Sequence, residues 1–72
     1  MEKVESILWQ AKMQKKRNWL QVRKLLLDGI KQFPQETALY LELGTLYESK
    51  KMFRKAIDIY QKAIEIVNYD YQ

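Results

Sequence analysis

The stretch from Ala38 to Ile66, ALYLELGTLYESKKMFRKAIDIYQKAIEI, constrains this chain more than any other. Tyr40, Leu43, Gly44 and Tyr47 recur at the spacing of one helical face. A basic turn follows, and Ala56, Tyr60 and Ala63 then mark one face of a second helix. Small and large residues alternate on these faces, as closely packed antiparallel helices require. Gly44, Ala56 and Ala63 are expected to leave holes for Tyr47, Tyr60 and Phe53.

The rest of the chain has the same grain. Two glycines and one proline in 72 residues favour long helices joined by short turns. Lys3 to Lys16 reads as a first helix, with an apolar stripe from Val4, Ile7, Leu8, Ala11 and Met13, and Trp9 beside it. Asn18 is placed to cap a second helix over Trp19 to Gln32. The run Leu25-Leu26-Leu27 makes that helix apolar over more than half its girth, so it should be covered on two sides. Pro34 stops it, since proline lacks the N–H and disfavours helix at the preceding residue. Thr37 is expected to cap a third helix reaching Lys50. A fourth should run from Phe53 to Val67 and end at Asn68.

Composition excludes several functions. With no cysteine and no histidine, the chain cannot build a zinc site, a disulfide frame or a histidine-based triad. Carboxylates such as Glu42 and Glu48 point in different directions, and helical pairs such as Asp58 with Lys62 account for many charges. The expectation is therefore no enzyme, no cofactor and no metal. No apolar run approaches a membrane span. The N-terminus lacks the order of a signal peptide, and a reducing, cytoplasmic setting is inferred. The net charge of +4 permits acidic partners.

The residues Tyr40, Leu43, Gly44, Tyr47, Ala56, Tyr60 and Ala63 resemble a tetratricopeptide repeat. That family's pattern is Trp-x2-Leu-Gly-x2-Tyr, then Ala-x3-Phe, then Pro, over about 34 residues. Tyr40 stands for the Trp and Tyr60 for the Phe, while Asn68 holds the Pro slot. Moved back by one repeat length, Tyr40 falls on Ser6, Leu43 on Trp9, Tyr47 on Met13, Phe53 on Trp19, Ala56 on Val22, Tyr60 on Leu26 and Ala63 on Gly29. Pro34 then fills the proline slot. The resemblance implies one all-α domain over 1–72 with a degenerate repeat at 3–36 and a second at 37–70. Its four helices would form two antiparallel hairpins stacked as a right-handed superhelix. Such arrays usually contain more repeats, so the chain reads as a segment of a longer array or as a unit that associates through its last helix.

The resemblance also places candidate surfaces. Its groove slots fall on Ile7, Ala11, Gln14, Leu41, Thr45 and Glu48, which would take a peptide or partner helix. Ile7, Ala11 and Leu41 stand where a carboxylate clamp would need Lys and Asn, which argues against that subtype. The two turns carry Lys15, Lys16 and Arg17, and Lys50, Lys51, Arg54 and Lys55. They would line one basic rim; the plainer alternative is solvated cations at helix C-termini. Trp19 and Phe53 belong to apolar turn slots, so base stacking and nucleic-acid binding are disfavoured. The last helix is expected to leave Ile57, Ile59, Ile64, Ile66 and Val67, then Tyr69 and Tyr71, uncovered, and Ile59, Ile66, Tyr69 and Tyr71 are candidates for self-association into a homodimer. The expected role is a non-catalytic protein–protein interaction module. The alternatives are a self-association unit or a nucleic-acid-associated repeat that uses the rim.

Overall fold

The computed structural model describes residues 3–14 and 18–70, with side chains described for 3–13 and 18–68. Four helices follow one another: α1 (Lys3–Gln14), α2 (Trp19–Gln32), α3 (Thr37–Ser49) and α4 (Phe53–Asp70). The all-α class is as the periodicity requires. Each helix packs on the next, and α3 also touches α1.

The helix ends have local causes. Asn18 caps α2, its side-chain oxygen accepting from the Gln21 N–H at 3.3 Å. The Phe33 N–H closes the last turn on the Gly29 carbonyl, and Pro34 ends the ladder. Tyr40 then ties the connection down, donating its hydroxyl to the Pro34 carbonyl at 2.8 Å. Thr37 is not the cap of α3. The turn bonding the Glu36 N–H to the Phe33 carbonyl leaves Glu36 extended at the cap position, and Thr37 is already helical. The cap makes no side-chain hydrogen bond; the Leu39 N–H bonds the Glu36 carbonyl instead. At the far end, α4 runs through Asn68 to Asp70 rather than stopping there. Neither glycine nor proline follows Asn68 to break it.

The α3–α4 turn is a Schellman motif. The Lys51 N–H bonds the Glu48 carbonyl and the Met52 N–H bonds the Tyr47 carbonyl, both at 2.9 Å. The geometry puts Lys51 at a φ of 60°, a left-handed conformation that favours glycine.

The core is built around α3. Leu39, Leu43 and Leu46 are fully buried, and Tyr40 and Tyr47 nearly so. Ala11 of α1, Val22 and Leu26 of α2, and Ala56 of α4 close around them. A single repeat pattern identifies only one seam of α3, so it misses Leu39 and Leu46. Those two lie on the same side as Leu43, and Leu39 reaches α2 at Gly29. A Cβ at Gly29 would lie 3.2 Å from Ile7 Cδ1 and 3.5 Å from Leu39 Cδ1, so three helices meet there. Gly44 makes one of the expected holes, and Tyr60 is the ring that fills it: a Cβ would lie 2.7 Å from Cζ and 2.8 Å from Cδ1 of that ring. Phe53 fills no hole and is exposed. Met13 and Trp9 also lie outside the core, because Val4, Ile7, Leu8 and Ala11 already occupy the buried face of α1. Leu20 and Leu27 of α2 are exposed as well, so its covering is less complete than the leucine run suggested.

Two substitutions test these points by chemical denaturation. Gly44→Ala should destabilise the chain by about 1–3 kcal/mol, despite alanine's better helix propensity, because the methyl collides with a ring pinned between helices. Lys51→Gly should stabilise it by about 0.5–1 kcal/mol through relief of the left-handed backbone, whereas Lys51→Val should destabilise it.

Candidate functional site

The expected groove is open only on its α3 half. Ala11 is completely buried, and Ile7 packs half-buried over Gly29. Gln14 sits in the last turn of α1, and its side chain lies outside the described residues. Leu41, 49% exposed, stands with exposed Thr45 and Glu48 along one line of α3. Tyr60 from α4 joins this line, donating its hydroxyl to Glu48 Oε1 at 2.9 Å. The Thr45 hydroxyl donates to the Leu41 carbonyl at 2.9 Å and approaches the Tyr60 oxygen at 3.4 Å. Tyr60 was assigned to the core from sequence; it is half-buried and its polar end belongs to this surface.

The basic rim divides. Lys15, Lys16 and Arg17 lie outside the described residues. Lys50, Lys51, Arg54 and Lys55 are exposed around the α3–α4 turn. The Lys50 ammonium lies over the Trp19 ring, 5.7 Å from its centroid, and Arg23 lies 5.6 Å from the same ring. The Arg23 Nε is buried with no hydrogen-bond partner. Arg23 was not picked out from sequence, although its position one helical turn after Trp19 is the signal that would find it. A helical ion pair joins Lys24 to Asp28, at 3.9 Å between highly exposed side chains. Lys51, Arg54 and Lys55 instead gather around Phe53, Met52 and Asp58 in a shallow depression.

The exposed apolar face of α4 is not centred on the pair expected from sequence. Ile59 is half-buried and packs against the core, and Ile66 is half-buried too. The Tyr69 side chain and Tyr71 lie outside the described residues. Phe53 (55% exposed), Ile57 (58%), Ile64 (58%) and Val67 (40%) form the open face. With Tyr60 they make an unbroken three–four spaced stripe; Ile57, Ile64 and Val67 are among the uncovered apolar residues expected of this helix, and Phe53 is not. Between this stripe and α3 lies an apolar cleft of about 400 Å³, lined by Leu41, Tyr60, Ala63, Ile64 and Val67, with Thr37 and Asn68 at its end.

Among the described residues no acidic, histidine or cysteine cluster could hold a metal ion. No described helix is long and apolar enough to cross a membrane. Comparison with family models, with curated proteins and with solved structures gives no match for the chain.

The Tyr60 environment carries a pH signature. The Thr45 hydroxyl favours the ionised phenol, but burial, the hydrogen bond to Glu48 and the charges of Glu48 and Glu42 outweigh it and raise the pKa. A phenol that ionises less readily when folded stabilises the fold fully below its unfolded pKa near 10, and this is lost as pH rises through the higher folded value. Thermal melts from pH 9 to 12 should therefore show an alkaline loss of stability that is smaller in Tyr60→Phe.

Proposed function

We propose that this chain is a non-catalytic protein–protein interaction module, a tetratricopeptide-like pair of helix hairpins that takes an apolar partner segment. The observation carrying this reading is the open cleft between α3 and α4. Its walls are apolar, with Thr37 and Asn68 as polar residues at its end, and Ile57 and Phe53 extend the apolar surface beyond it. A stripe of large exposed side chains on one helix is the usual mark of a surface meant to be covered. The cations of the α3–α4 turn stand at one end of the stripe, where they would steer an acidic segment. Leu41, Thr45 and Glu48 belong to this surface, whereas the α1 part of the groove is occupied by the chain's own core.

Nucleic-acid binding is the weaker reading. Of the two aromatic rings near the cations, Trp19 is half-buried and already engaged by Arg23 and Lys50, and exposed Phe53 is a single ring, short of the successive platforms on which bases stack.

Capture assays with the tagged chain should recover protein that survives nuclease treatment. Recovery should fall at least tenfold with Leu41→Glu or Ile64→Glu and depend only modestly on salt. Capture that disappears with nuclease, or with Lys50, Lys51 and Arg54 reversed to Glu while both apolar variants bind normally, would replace this reading with the nucleic-acid one.

A further inference from the structure

The chain contains its own example of how a stripe like that of α4 is covered. One repeat length before Phe53, Ile57, Tyr60, Ile64 and Val67 stand Trp19, Arg23, Leu26, Ile30 and Phe33 of α2. Not one of those α2 residues is exposed. The reason is α3, which lies antiparallel to α2: its start is tied to Pro34 by Tyr40, and its end reaches Trp19 through Lys50. Leu39, Leu43 and Leu46 fill the space between. On α4, four of the five equivalent positions are exposed.

The charge around the α4 stripe differs from that around α2. Where α2 has Leu20 and Gln21, α4 has Arg54 and Lys55; where α2 has Arg23, α4 has Ile57. The stripe is thus more apolar along its length, and its Phe53 end keeps a cation cluster of Lys51, Arg54 and Lys55, with Asp58 beside them where α2 has Lys24. A helix lying as α3 lies would bring its C-terminal end to these cations. The negative pole of its dipole would face the cations favourably, and acidic side chains there would add direct attraction to Lys51, Arg54 and Lys55, against a smaller cost to the helix's own C-terminus.

We propose that the α4 stripe seats an amphipathic helix of a partner protein, antiparallel to α4, with leucine-like residues at i, i+4 and i+7 and acidic residues in its last turn. This rests on the interaction reading above and specifies its ligand. The seated helix copies the contact that α3 makes on α2. The basic cluster selects against a helix followed by lysines, as α3 is by Lys50 and Lys51.

The test uses the full chain with isotope-labelled methyl groups and three peptides spanning 36–52. One has the native sequence, one carries Lys50→Glu and Lys51→Glu, and one carries Leu43→Glu. The acidic-ended peptide should shift the methyls of Ile57, Ile64 and Val67 and bind about 3–5-fold tighter than the native peptide at low salt, an advantage lost in high salt. The Leu43→Glu peptide should not bind. Ile64→Glu in the chain should abolish binding of all peptides while its circular dichroism and melting stay near wild type, since Ile64 is exposed. The proposal is overturned by equal binding of the Leu43→Glu peptide, by shifts centred on Leu26 and Ile30 instead, or by no binding of any peptide. It is equally overturned if the chain alone sediments as a dimer that Ile64→Glu dissolves, since a second copy then fills the seat. The capture assay still reads separately whether the surface binds protein at all.

Discussion

Burial of α3 on two sides is the contact on which the rest depends. Leu39 faces the junction of α1 and α2 at Gly29, while Gly44 admits the Tyr60 ring from α4. Leu43 and Leu46 lie sealed in the core these helices share. A helix of this length is marginal in water by itself, and its neighbours have no other common partner to bury against. The two glycines do related work at opposite faces of α3. Each removes a side chain where another helix comes close, tightly at Gly29 and within clash distance at Gly44.

The same arrangement generates the candidate site. Because α3 spends its buried faces on α2 and α4, the α4 stripe that faces away from this core is left uncovered. Tyr60 stands at the boundary. Its ring fills the Gly44 hole and its hydroxyl meets Glu48, so one side chain locks the hairpin and forms the floor of the cleft. The turn that joins α3 to α4 adds the cations. A left-handed Lys51 there is a local backbone cost that glycine would remove, and its side chain adds to the basic cluster beside Phe53.

Much of the fold was legible because short-range chemistry fixed it. The start of α2 follows from Asn18 and its end from Pro34. The Gly44–Tyr60 contact follows from the alternation of small and large residues. The site was less legible. Ile57 and Ile64 share a seven-residue spacing with Ile59 and Ile66, and helical periodicity ranks the two pairs alike. Ile7 and Ala11 likewise read as groove residues until the packing of α1 on α2 and α3 buries Ala11 and half-buries Ile7 over Gly29.

The sequence by itself determined an all-α chain, its helix pairs and the glycine that lets α3 meet α4, because these depend on backbone propensity and contacts along one or two helices. The tertiary structure alone decided which face of α4 is left to solvent and which of the expected groove residues remain reachable. Both are set by how α3 divides its surface among three neighbours, and that division comes from packing between residues far apart in the chain.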